Sequence, residues 1–280
     1  MNYEKLVSLI KEKKSFLCVG LDSDPDKIPA FLNNYDDPVF EFNKRIIDAT
    51  LPFTVAYKPN MAFYESSGSK GWMSLEKTMK YINGLNQAVF TIADAKRGDI
   101  GNSASRYAKA FYETLGFDAV TVSPYMGHDS VQPFLNYKDN WTIILALTSN
   151  KGSDDFQDLH QYDRNKRGEK LFETVIKKSL TWENSRQIMF VVGATKADML
   201  GKIREIAPDS FFLVPGVGVQ GGSLKDVSNA ALNKDCGLLI NASRSIIFAS
   251  TDEKFDLAAA FEASKLQKEM EWLLKQKGII

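Results

Sequence analysis

Eight short apolar runs, rich in branched and aromatic residues, recur along the chain: Phe16 to Leu21, Phe53 to Tyr57, Ala88 to Ala93, Ala119 to Val122, Thr142 to Leu147, Ile188 to Val192, Phe211 to Val214 and Gly237 to Ile240. Several show no polar alternation, the pattern of strands covered on both faces. Between them lie stretches with helical spacing, such as Val39 to Ala49, Leu75 to Leu85, Ala104 to Leu115, Lys170 to Leu180 and Ala197 to Ile206. Regular alternation of strand and helix means a parallel sheet in an α/β fold. Eight such repeats in roughly 250 residues match the size of a closed (β/α)8 TIM barrel.

An open, doubly wound sheet would show the same periodicity, so closure has to be argued from the polar residues. Asp22, Lys58, Asp94, Ser123, Ser149, Thr195, Pro215 and Ser243 each fall just after an apolar run, which rings one end of a barrel instead of gathering at one switch point. No linker or low-complexity stretch divides the chain. It therefore reads as one barrel domain over residues 1–280, with an amphipathic N-terminal helix at about 2–14 and a polar insertion after strand 5 at about 151–168. That insertion carries Asp154, Asp155, Asp158, Asp163 and Arg164, and is either a lid or a surface excursion.

Lys and Arg number 35, as do Asp and Glu, so the formal charge is zero. This balance argues against a nucleic-acid partner and against a polybasic membrane protein. No apolar stretch approaches the ~20 residues of a spanning helix, and the first residues lack a signal-peptide core. Cys18 and Cys236 lie within apolar runs and read as buried small hydrophobes in a reducing, cytoplasmic setting. Two matches to the glycosylation pattern, at Asn140 and Asn241, carry no weight without secretion.

The chemistry concentrates after particular strands. Asp94-Ala95-Lys96-Arg97-Gly98-Asp99-Ile100 closes the third apolar run with an acid, a base and a second acid. A period of two puts Asp94 and Lys96 on one face and sends Arg97 to the other, while Asp99 falls on the following turn. After the seventh run, Pro215-Gly216-Val217-Gly218-Val219-Gln220-Gly221-Gly222 is a backbone-rich anion loop, and Arg244 follows the eighth. The same glycines match a dinucleotide fingerprint, but the acid expected about 20 residues later is replaced by Asn241 to Arg244. Asp22-Ser23-Asp24-Pro25-Asp26 starts like a calcium loop and then fails it at Lys27 and Asn33. With His128 and His160 the only histidines, catalysis falls to carboxylates and lysines: Asp22, Lys58, Asp94, Lys96 and Asp99.

Taken together, Tyr57-Lys58-Pro59, Asp94-x-Lys96-x-x-Asp99-Ile100, the glycine loop and Arg244 resemble the orotidine 5'-phosphate decarboxylase family, in particular its longer bacterial members. The resemblance implies a cofactor-free carboxy-lyase of pyrimidine biosynthesis that converts orotidine 5'-monophosphate to uridine 5'-monophosphate, with no bound metal. It implies that Lys96 delivers a proton to C6 of the pyrimidine and that Lys58, Asp94 and Asp99 complete a charged network around it. Asp99, with Ile100 and Ser103, would serve the neighbouring site of a homodimer. Asp22 would hold the ribose and Ser149 the pyrimidine. Pro215 would line the substrate site, with Gln220, the Gly221 and Gly222 backbone and Arg244 on the phosphate. Arg97 and Gly98 depart from shorter members, which carry apolar or small residues there. Two other readings stay open on the residues alone: a magnesium-dependent phosphosugar aldolase or decarboxylase, whose acids would hold the metal, and a non-catalytic nucleotide-binding barrel.

Overall fold

In the computed structural model, which describes residues 1–163, 166–194, 197–217 and 222–280, eight parallel strands close on themselves. They are β1 (Leu17–Leu21), β2 (Ala56–Pro59), β3 (Phe90–Arg97), β4 (Ala119–Val122), β5 (Trp141–Leu147), β8 (Ile188–Val192), β9 (Phe212–Pro215) and β10 (Leu238–Ala242). Their order around the barrel follows the chain, and β10 returns to β1 through Leu17 opposite Ile240. β1, β2, β4, β8 and β10 are buried along their whole length, which is why they read as unbroken apolar runs.

The remaining pair, β6 (His160–Asp163) and β7 (Lys166–Lys170), forms a separate antiparallel hairpin. It occupies the polar segment after β5, behind a 3-10 turn at Lys151–Asp155, and leads into α7 (Leu171–Ser179). Arg164 lies outside the described residues, as does Thr195. The strand boundaries differ from the apolar runs in a way that matters. Leu51–Phe53 folds as a 3-10 turn, so β2 starts later and carries Lys58 within the strand. β3 likewise runs past Ala93, and Asp94 and Lys96 belong to the strand and not to the loop after it.

The N-terminal helix α1 (Tyr3–Lys13) caps the N-terminal end of the barrel. There the Met1 ammonium pairs with Asp118, and the Trp141 indole N–H donates to the Met1 carbonyl at 2.7 Å. Asp118 also accepts from the amide and the hydroxyl of Thr91, both at 3.0 Å. The outer layer includes α2 (Pro38–Thr50), α3 (Met61–Glu65), α4 (Gly68–Asn83), α5 (Gly101–Lys109), α6 (His128–Leu135), α8 (Ala197–Ile206) and α9 (Leu224–Ala231). After the short α10 (Arg244–Ile247), the 22-residue α11 (Phe255–Gln276) packs along α2, with Phe255 stacked on Phe42 at 5.2 Å between centroids. Cys18 and Cys236 are fully buried, and burial pushes both thiols up to about 12.

Candidate active site

Alternation along β2 decides where Lys58 goes. Tyr57 faces the helical layer, its hydroxyl donating to the Ile47 carbonyl at 3.0 Å, so Lys58 faces the barrel interior. There its ammonium donates to Asp94 Oδ2 at 2.7 Å and stands 4.0 Å from Asp22 Oδ1. The other oxygen of Asp94, Oδ1, accepts from the Lys96 ammonium at 2.6 Å and from the Thr121 hydroxyl at 3.1 Å. The result is a chain of alternating charge, Asp22, Lys58, Asp94, Lys96. The Lys58 side chain is only 5% exposed and that of Asp94 12%, whereas Lys96 is half exposed.

Burying these groups opposes their ionisation, and the neighbours reverse that effect. Burial alone would raise the Asp94 carboxyl, but Lys58 and Lys96 hold it well below the usual carboxylate range. Burial would likewise lower Lys58, and Asp94 with Asp22 lifts it above the usual lysine range instead. Asp22 leaves β1 with its Oδ1 buried and without a hydrogen-bond donor among the described residues. An acceptor in that state suits a hydroxyl-bearing ligand.

Asp94 and Lys96 meet through a backbone irregularity and not through simple alternation. β3 pairs with β4 at Ala93 opposite Val120 and again at Arg97 opposite Val122, so two extra residues are accommodated on β3. Lys96 sits in the left-handed region, with φ of 47°, a conformation that disfavours a side chain. Arg97 turns away from the network, as the sequence predicts. Its guanidinium pairs with Glu65 of α3, donates to the Ala95 carbonyl at 3.1 Å and lies over the rings of Tyr107 and Phe111.

A cavity of about 180 Å³ opens beside this network at the C-terminal ends of the strands. Asp22, Lys58 and Asp94 line one part of it, and Pro215, Gly216 and Arg244 another. Asn60, Asn241 and Ser243 also line it; of these the sequence places Ser243 in the ring of strand-end polar residues and gives Asn60 and Asn241 no part in the site. The period-two step from Asn241 to Ser243 at the end of the last strand was the available signal. Their room comes from Gly20: a Cβ there would lie 1.9 Å from Ser243 Oγ and 3.2 Å from Asn241 Oδ1.

On the glycine loop, Gly216 has φ of 96°, which favours glycine. The Gly222 amide donates to the Gly216 carbonyl at 3.2 Å and closes the base of the loop. Gln220 and Gly221 lie outside the described residues. Ser149 occupies the turn after β5, packed against Gly193, where a Cβ would come within 2.8 Å of the Ser149 Cβ. Asp99 and Ile100 lie on the connection from β3 into α5 and Ser103 in the first turn of α5, with Ile100 and Ser103 exposed. Asp99 accepts from the Ile100 amide at 2.8 Å, and among the described residues no ion pair ties it to Lys58 or Lys96 of its own chain.

A closed parallel barrel with lysines and carboxylates gathered at its C-terminal strand ends, next to a cavity bordered by an arginine, belongs to the class of TIM-barrel enzymes. Within that class the chain is a member of the orotidine 5'-phosphate decarboxylase / HUMPS family, whose model matches residues 15–258. It is 58% identical over 280 residues to an orotidine 5'-phosphate decarboxylase of Porphyromonas gingivalis, with all of both chains covered. Among solved structures it resembles OMP decarboxylase of Leishmania donovani, with a TM-score of 0.78 at 36% identity over 95% of this chain and 99% of the other. UMP synthase of the same organism matches with a TM-score of 0.83 at 37% identity, over 98% of this chain and 56% of that longer one.

Proposed function

We infer that the chain is a carboxy-lyase that converts orotidine 5'-monophosphate to uridine 5'-monophosphate in pyrimidine biosynthesis. The observation that carries this reading is the Lys58–Asp94–Lys96 chain beside a cavity that also reaches Arg244. Loss of carbon dioxide leaves an electron pair at C6 with no carbonyl placed to delocalise it. A fixed ammonium answers that charge, since opposite unit charges near 4 Å are worth about 4 kcal/mol at an effective dielectric of 20. Lys96, the more exposed of the two lysines, is the group free to hand a proton to C6, with Asp94 holding its ammonium in place.

In this reading Asp22 takes a ribose hydroxyl on Oδ1, which has no hydrogen-bond donor among the described residues, and Ser149 faces the pyrimidine. Arg244, Gln220 and the glycine loop, with Pro215 alongside, grip the phosphate, so binding energy far from C6 orients the base. No step requires a cofactor or a metal. A magnesium-dependent reaction fits the residues less well, because both oxygens of Asp94 already accept from ammonium groups and an ion would have to displace a lysine. The buried thiols suit a reducing compartment such as the cytoplasm.

Asp99 completes the network from a second copy of the chain, with Ile100 and Ser103 beside it. The exposure of Ile100 and Ser103, and the absence among the described residues of an Asp99–lysine pair within one chain, support that homodimer. Loss of orotidine 5'-monophosphate absorbance with purified protein, equal with and without chelator, tests the reaction. Mixing inactive Lys96→Ala and Asp99→Ala proteins tests the assembly: a hybrid dimer holds one intact site and regains activity, and a monomer regains none.

A further inference from the structure

Where β3 departs from its ladder with β4, a partly buried backbone amide needs another acceptor. The Lys96 amide finds it in the hydroxyl of Thr121 on β4, at 2.9 Å. A threonine hydroxyl has one proton to give. Its nearer acceptor is Asp94 Oδ1 at 3.1 Å, with the Ala93 carbonyl at 3.5 Å. Asp94 Oδ1 is also the oxygen that accepts from the Lys96 ammonium at 2.6 Å. A closed ring thus runs from the Lys96 amide through Thr121 and Asp94 to the Lys96 side chain. Thr121 is fully buried between Val120 and Val122 and belongs to none of the cavity-lining residues.

Resting on the decarboxylase reading, we propose that Thr121 is a positioning residue for the proton donor. By accepting from the Lys96 amide it holds the left-handed backbone that aims the side chain. By donating to Asp94 it fixes the oxygen to which the ammonium is tied. Valine has the same branched shape and can do neither, whereas serine can do both. Thr121 touches no reacting atom, so its loss acts on the chemical step and not on the grip of the nucleotide.

The test compares wild type with Thr121→Val and Thr121→Ser in steady-state decarboxylation of orotidine 5'-monophosphate, alongside binding of uridine 5'-monophosphate and thermal unfolding. Thr121→Val is expected to lower kcat by roughly 10- to 100-fold with KM within about threefold of wild type, and Thr121→Ser to recover most of the loss. A Thr121→Val protein that keeps wild-type kcat overturns the proposal, even if its unfolding midpoint drops. So does a Thr121→Ser protein as impaired as the valine variant. Should the valine variant not fold, Thr121→Ala takes its place under the same criteria. A wild-type protein without decarboxylase activity overturns the functional reading and this inference with it, whereas an active wild type beside an equally active valine variant overturns this inference alone.

Discussion

Asp94 and Asp118 stand at opposite ends of the same pair of strands, and each joins a threonine hydroxyl to a cation. At the N-terminal end, Thr91 of β3 donates its amide and hydroxyl to Asp118, and the Met1 ammonium adds the charge. At the C-terminal end, Thr121 of β4 donates to Asp94, and two lysines add charge. The Met1 side chain is 9% exposed and that of Lys58 5%, so each end holds one cation on a largely covered side chain, but only the upper end adds a second whose side chain is 51% exposed. The lower assembly is a lock. The upper one is a lock with a spare cation beside a cavity, and that surplus is what chemistry can use.

Removing the surplus cation should have the largest effect. Lys96→Ala is expected to cut turnover by more than about 10³-fold, since it removes both the proposed proton donor and a fixed charge. Calorimetric binding of uridine 5'-monophosphate should survive, and an unfolding midpoint near wild type would confirm that the half-exposed pair adds little stability. Activity within tenfold of wild type, to the order of magnitude, would erase the distinction drawn between the two ends.

Asp94→Asn strikes the buried part of the same network and leaves the Lys58 ammonium without its nearest counter-charge. A loss of about 3–5 kcal/mol in denaturant unfolding is expected, together with loss of activity. Asp118→Ala is the matched change at the other end. Orphaning the Thr91 amide should lower stability by about 1–3 kcal/mol while kcat/KM of the folded protein stays put. A drop in kcat/KM there would mean the lower lock also serves the reaction.

The smallest effect is in pH. Asp94 is depressed in the folded state, so its contribution is complete above the unfolded value of about 4 and fades as pH falls through the folded one. Lys58 is raised, so its contribution is complete below about 10.4 and fades as pH rises through its folded value. The stability gap between wild type and Asp94→Asn should therefore be flat from about pH 5 to 9 and shrink below that window. A gap that widens in acid would reverse the sign assigned to Asp94.

The eight barrel strands are legible because five are buried along their whole length and the other three along most of it, so each carries an apolar run. α11 was not singled out: its buried positions, such as Phe255, Ala259, Ala263 and Met270, are interspersed with exposed Leu257 and Phe261, which blurs the apolar stripe. The β6–β7 hairpin is not legible because its residues are mostly charged and polar, with no apolar run to betray a strand. Lys58, Asp94 and Lys96 were identified as a group, yet the bulge that brings the last two together was invisible, since strict alternation also puts them on one face. Thr121 was hidden for a different reason. A branched residue in a branched, buried strand announces packing, and its hydroxyl matters only once the neighbouring ladder is seen to break.

The left-handed backbone at Lys96 has an implication of its own. For a residue with a side chain that shape costs about 1–2 kcal/mol, and glycine would adopt it freely. Durability and turnover therefore make opposing demands on position 96: the peptide geometry suits the smallest residue, and only the reach of an amine argues for the one present.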